Sequence, residues 1–180
     1  TEEAWNENDF SFLEKKTPLH LAVEKENIEI IKLLLEKDEI DVNIKNREEI
    51  TSDGDENEDF NISKSYPGYT KVRRDETSLH LAIRNENINI IKLLLSLDKI
   101  DVNIEASEKV FFEDYADVVL DEYDKTPLYF ATQKENIEIV KLLLNNSKID
   151  VNIFRKHRNY ITNSSGKVTE KTALNCAIKN

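Results

Sequence analysis

The sequence predicts an all-α protein, a solenoid of stacked helix-turn-helix units, and three observations carry that reading. The phrase Thr17-Pro18-Leu19-His20-Leu21-Ala22 recurs at Thr77 to Ala82 and at Thr126 to Ala131, and more weakly at Thr172 to Ala177. The run Lys32 to Leu35 returns at Lys92 to Leu95 and Lys141 to Leu144, and Ile40 to Ile44 returns at Ile100 to Ile104 and Ile149 to Ile153. The register is constant in every full copy: Thr17 to Asn43, Thr77 to Asn103 and Thr126 to Asn152 are equal steps. Repetition at a fixed period determines architecture and is read before any local propensity.

Each element follows from its residues. Thr17 stands where a helix N-cap is wanted, and Pro18 suits the first helical position because it has no N–H to leave unpaired. Leu19, Ala22 and Val23 recur at helical spacing. Ala22, Ala82, Ala131 and Ala177 keep the first helix thin enough for close stacking. Asn27, Asn87 and Asn136 precede the second helix as N-caps. Glu29 and Glu138 fall in its first turn, where the positive end of the helix dipole favours an acid. Ile28, Ile30, Ile31, Leu33, Leu34 and Leu35 make this helix apolar nearly all round, so it must be buried between neighbours. A single unit cannot bury that surface, whereas a stack can.

Composition narrows the function. With 36 acidic against 25 basic residues the chain of 180 carries −11, which disfavours nucleic acid and anionic lipid as partners. One cysteine cannot make an internal disulfide, so a cysteine-stapled secreted scaffold is excluded. No apolar run approaches the roughly 20 residues of a membrane-spanning helix. The chain starts at Thr1 and contains no Met, and Asn180 falls inside a fourth copy, so a longer parent chain is expected. No phosphate-binding glycine loop, paired-cysteine zinc spacing or nucleophile with a recognisable base is present, so no enzyme activity, cofactor or metal is expected. Asp53, Asp55, Asn57 and Asp59 alternate like the start of a calcium loop, but Glu58 and Lys64 stand where its glycine and closing glutamate belong.

The repeated phrases resemble the ankyrin repeat, whose signature is Thr-Pro-Leu-His-x-Ala. The resemblance covers three full units and the first helix of a fourth. It implies a helix, a tight turn, an antiparallel helix and an extended arm that forms half of a β-hairpin finger. It places His20 and His80 in the first helix, bonded back to the Thr of their own phrase, rather than in a catalytic or metal site. Cys176 aligns with Leu21, Leu81 and Phe130 and reads as a small packing residue. The sequence departs from the family at the turns, where glycine is usual. Glu26, Glu86 and Glu135 occupy the turn between helices, and Lys15, Asp75 and Asp124 the hairpin position. Either these turns take another shape or each stores strain at a left-handed non-glycine residue.

The copies are also spread apart. The arm Asn is followed by the next Thr after 34, 23 and 20 residues, which places long insertions at the hairpin tips. The resulting organisation is an N-terminal arm (1–16), repeats at 17–44, 77–104 and 126–153, insertions at 45–76, 105–125 and 154–171, and a partial repeat at 172–180. Twelve of the fourteen aromatics lie outside the repeat units, so the insertions are not plain disordered linkers. Charge is segregated among them: the first turns from acidic to basic, the second carries −6 and the third +4. Phe111, Phe112, Tyr115, Val118 and Val119 recur at about a helical period, which suggests a short amphipathic helix in the second insertion. Trp5 to Lys16 reads as the returning arm of an earlier hairpin.

The expected function is a non-catalytic protein-binding module or scaffold. The resemblance places its contacts on the fingers and on the exposed ends of the first helices, here Glu24, Lys25, Arg84, Asn85, Gln133 and Lys134. The finger anchors are Tyr66, Tyr69, Arg73, Phe111, Phe112, Tyr115, Arg155 and Arg158, since Tyr and Arg dominate binding hot spots. The alternative is a permanent structural component of a cytoskeletal or axonemal, microtubule-associated assembly. The partner is then a protein, with a cytoskeletal filament as the alternative, and the expected location is cytoplasmic or cytoskeletal. Acidic and basic fingers lie side by side, so neighbouring fingers are also expected to neutralise one another.

Overall fold

Helix formation follows the repeated phrases. The computed structural model describes residues 15–52, 70–112, 119–159 and 167–174. The first helices are α1 (Pro18–Glu24), α3 (Ser78–Arg84) and α5 (Pro127–Gln133), and the second helices are α2 (Ile28–Leu35), α4 (Ile88–Leu95) and α6 (Ile137–Leu144). The amide sides of the caps are filled as the residues dictate: Asn27, Asn87 and Asn136 each accept a hydrogen bond from the backbone N–H three residues on, at 3.0, 3.1 and 3.2 Å.

The glycine-less turns are left-handed. Glu26, Glu86 and Glu135 have φ of 53°, 52° and 58°. In the first two turns the next residue, Asn27 or Asn87, donates its N–H to the carbonyl five residues back (2.9 and 3.1 Å), while Glu26 and Glu86 donate three back (both 3.0 Å). That pairing satisfies the helix-end carbonyls and fixes the left-handed residue even without glycine. Lys15, Asp75 and Asp124 keep negative φ, because each is paired in extended structure.

Stacking buries one side of the apolar second helices, not the whole circumference the sequence suggested: Ile31, Ile91, Leu94, Ile139 and Leu143 are buried, while Leu33 and Ile137 are 62% and 69% exposed. First helices pack on first helices, α4 packs on α6, and each first helix packs on the second helix of its own repeat. Burial depends on having a neighbour. Ile90 and Ile139 are fully buried while the equivalent Ile30 is 47% exposed, and Val42 and Val102 are buried while Val151 is 43% exposed. Successive repeats are also tied through the arms. Asp41, Asp101 and Asp150 each accept from the backbone N–H two residues on, all at 2.9 Å, which shapes the arm. Asn43 then donates to the carbonyl of Lys99 (2.8 Å) and accepts from the N–H of Asp101 (2.9 Å). Asn103 does the same with Lys148 and Asp150, both at 2.8 Å.

The all-α class is overturned. Besides the six helices, the described residues hold one six-stranded antiparallel sheet in the order β1-β2-β3-β4-β5-β6. Its strands are β1 (Glu48–Ser52), β2 (Thr70–Asp75), β3 (Ala106–Phe112), β4 (Val119–Lys125), β5 (Arg155–Asn159) and β6 (Lys167–Lys171). Each insertion contributes one hairpin, and β2 pairs with β3 and β4 with β5, so the fingers fuse into a wall. The physical reason is that an isolated two-stranded hairpin is marginal and leaves two open edges, which pairing between fingers removes. The expected amphipathic helix is corrected for the same reason: Phe111 and Phe112 lie in β3 and Val119 in β4, with 113–118 outside the described residues. Of the segment Trp5 to Lys16 expected as a returning arm, Trp5 to Glu14 lie outside the described residues; Lys15 exchanges backbone hydrogen bonds of 3.0 and 2.8 Å with Arg47.

Candidate functional site: the corner between the finger sheet and the first helices

Directly opposed residues of neighbouring strands share a face of the sheet. One face carries the row Glu48, Arg74, Glu108, Tyr123 and His157, and the other Glu49, Arg73, Lys109, Glu122 and Arg158. The first row faces the helices. Arg84, closing α3, ion-pairs with Glu76 and lies 4.0 Å from Glu48, and Lys125 Nζ sits 5.8 Å from the ring of Phe130 in α5.

Charges alternate along this corner. Lys16 bridges Glu24 (3.2 Å) at the end of α1 and Glu48 (3.0 Å) at the start of β1. Burial works against its charge, but these two carboxylates hold its ammonium above the usual lysine range. Glu108 receives Arg74 at 3.2 Å and Lys125 at 3.8 Å. Burial alone would raise its carboxyl, yet Lys125, Arg74 and the more distant Arg84 hold it below the usual carboxylate range. Lys125 is pulled below the usual range, first by burial and then by neighbouring cations such as Arg155, against the opposing effect of Glu108.

The far face is crossed by more exposed pairs. Arg73 meets Glu49 (2.9 Å), Lys109 meets Glu122 (3.1 Å), and Arg158 meets Glu122 (3.0 Å) and Asp124 (3.3 Å). Pairs of this kind are worth about 0–1 kcal/mol each. The pairs of Arg74 with Glu108 and of Arg158 with Glu122 join different insertions, so adjacent fingers do neutralise one another.

The two motif histidines are structural. The Nδ1 atoms of His20 and His80 lie 2.7 and 2.8 Å from the hydroxyls of Thr17 and Thr77. His80 Nε2 lies 3.3 Å from the carbonyl of Lys125, the residue before the next repeat's Thr126. At His80 the backbone N–H of Thr77 also donates to Nδ1 (3.4 Å), so the ring is neutral, accepting at Nδ1 and donating at Nε2. Burial accordingly pushes the His80 imidazole down to about 3, and pushes His20 down against the pull of the Glu76 and Ile44 carbonyls.

The predicted site residues fall into distinct places. Glu24, Lys25, Asn85 and Gln133 are exposed at the ends of the first helices, Lys134 is half-buried, and Arg84 is drawn into the corner's ion pairs. Arg73 lies 4.5 Å over the ring of Phe111, which is only 6% exposed and therefore packs within the sheet. Phe112 lies in β3. Arg155 stands over Tyr123 (4.6 Å) and Tyr129 (5.5 Å), and Arg158 is on the far face. Tyr66, Tyr69 and Tyr115 lie outside the described residues, as do Cys176 and the Asp53–Asp59 run. Tyr123, which stacks on His157 at 4.4 Å and 4°, Lys125 and Lys171 are not among the residues expected from the sequence. Their signal was the two-residue spacing of Tyr123 with Lys125 and Arg155 with His157, which puts each pair on one face of a strand.

Comparison with known proteins agrees with this geometry. A family model described as Ankyrin repeats (3 copies) matches residues 58–155, and one described as Ankyrin repeat matches residues 14–47. No curated protein and no solved structure matches the chain significantly. No helix among the described residues is long and apolar enough to cross a membrane.

Proposed function

The chain belongs to the ankyrin-repeat family, and from that premise we propose that it is a non-catalytic protein-binding module whose partner docks in the corner between the finger sheet and the first helices. Repeats of this family are generally protein-protein interaction modules and typically non-catalytic. One observation carries the assignment to this corner. The ends of α1 and α3 are tied to β1, Glu24 through Lys16 to Glu48 and Arg84 at 4.0 Å from Glu48, and the fingers form a single sheet instead of separate tips. A partner would meet one continuous surface, which repeat proteins use for extended contacts.

Cross-linking mass spectrometry in intact cells tests the reading. Partner cross-links are expected at Lys25 and Lys134 on the first-helix side, and not at Lys92 and Lys141 on the second helices. Equal yields on both sides would refute the docking face. Links to one abundant filament protein would favour a permanent cytoskeletal or axonemal component over an adaptor.

A further inference from the structure

Three cations stand side by side at the root of the last two fingers. Arg155 opposes Lys171 directly between β5 and β6. Lys125 falls one residue beyond the Asp124–Lys156 pair of β4 and β5, so it stands next to Arg155 in the same row. Like charges directly opposed on one sheet face destabilise it. Elsewhere in the corner Lys16, Arg74 and Arg84 each meet a carboxylate. Here Lys125 reaches Glu108 at 3.8 Å, and Glu108 is already shared with Arg74. Among the described residues Arg155 and Lys171 have no ion pair, and the buried Nε of Arg155 has no hydrogen-bond partner. Two of the three cations, Arg155 and Lys171, thus stand without a carboxylate among the described residues, in a chain whose net charge is −11.

The guanidinium of Arg155 is nevertheless held in place. The rings of Tyr123 and Tyr129 lie 4.6 and 5.5 Å from it. Contacts with aromatic faces position an arginine without occupying its N–H donors, which leaves them for a carboxylate. Strands lie about 4.8 Å apart, so the row spans about 10 Å, the reach of two or three acidic side chains on an extended peptide.

We propose that the row Lys125, Arg155 and Lys171 is a subsite for an acidic segment of a protein partner, with Arg155 as its anchor. The proposal rests on the protein-binding reading above and narrows it to a chemical class. A peptide fits better than nucleic acid, because a long polyanion would also meet the surrounding acidic field of the chain, whereas a short acidic segment engages the row alone.

The test is a titration of a fluorescein-labelled hexaglutamate peptide with the purified chain at low ionic strength, followed by anisotropy. Saturable binding is expected, weakened about tenfold or more by Arg155→Gln, while Lys141→Gln, the same charge change on α6, leaves it unchanged. Circular dichroism checks that Arg155→Gln keeps its helices. If it does not, Lys171→Gln, whose side chain makes no ion pair among the described residues, carries the test with a several-fold loss expected. Absence of saturable binding, or equal losses in Arg155→Gln and Lys141→Gln, would overturn the subsite. An oligothymidylate of equal charge binding more tightly than the peptide would overturn the choice of a protein ligand. A chain that cross-links a partner at Lys25 and Lys134 yet ignores hexaglutamate loses this inference alone.

Discussion

The helical stack and the finger sheet solve the same problem, joining one repeat to the next, by different means. The stack does it with apolar burial: Ile83, Ile90, Ile91 and Leu94 of the middle repeat are fully buried. The sheet does it with backbone pairing and charge. Val72, Val110 and Phe111 are its main buried apolar residues, while Arg74–Glu108, Arg73–Glu49 and Arg158–Glu122 cross between strands. The contrast separates two means of cohesion: apolar burial in the stack, and backbone pairing with ionic groups in the sheet. The stack can hold the chain together while the sheet presents ionic groups whose strength depends on their surroundings.

The largest effect expected is on the stack. Ile91→Ala removes a fully buried side chain from the central repeat and should cost about 2–5 kcal/mol in urea unfolding. A loss below about 1 kcal/mol would mean that the sheet, and not the stack, dominates stability.

Acidification should act next, through His80. Its folded pKa of about 3 lies below the usual 6.5, so the unfolded chain binds more protons between those values. The stability this contributes is complete above about 6.5 and is lost as pH falls towards about 3, at up to about 1.4 kcal/mol per pH unit. His80→Tyr, which copies the residue at Tyr129, should flatten the dependence over this window. An unchanged slope would point to the carboxylates of the sheet instead.

Glu108→Gln probes the sheet itself. It leaves Arg74 and Lys125 without their shared carboxylate and should cost about 1–3 kcal/mol locally. Hydrogen exchange should quicken in β2, β3 and β4, with the helical melting temperature nearly unmoved. Raising salt should act in the same direction, more weakly, on the exposed pairs. A cooperative loss of both regions would erase the distinction.

The smallest effect expected is a gain. Glu26→Gly relieves a left-handed non-glycine residue and should stabilise by about 0.5–1 kcal/mol. Glu86→Gly should gain less, because the Glu86 carboxylate also accepts from Asn136 at 2.7 Å. Equal gains at both sites would show that this link to the next repeat contributes nothing.

These regions also differ in how far the sequence discloses them. The helices and their Thr and Asn caps were legible, because each depends on residues within a few positions of one another; the sequence marked Glu26, Glu86 and Glu135 as unusual turn residues without fixing their φ, and marked Lys15, Asp75 and Asp124 with them. The fused sheet was not. Pairing of β2 with β3 joins segments more than thirty residues apart, and strands such as Arg155–Asn159 (RKHRN) lack an apolar alternation to announce them. The run around Phe111 and Phe112 read as helical because periodicity over a short window is ambiguous when the pairing partner is distant. Arg73, Arg155 and Arg158 were legible as finger cations, but their roles depend on which face each occupies. Only the register separates Arg155, beside Lys171, from Arg158, beside Glu122.

The arm asparagines have a consequence for fidelity. Asn43 and Asn103 each give one hydrogen bond and take one from the following repeat. A neighbour displaced by one residue would match neither, so the amide works as a latch with two positions, engaged or open. The latch sets the pitch of the array at the root of the fingers, out of reach of whatever grows at their tips. Insertions of very different length can then be carried on successive units without the spacing error of one being passed to the next.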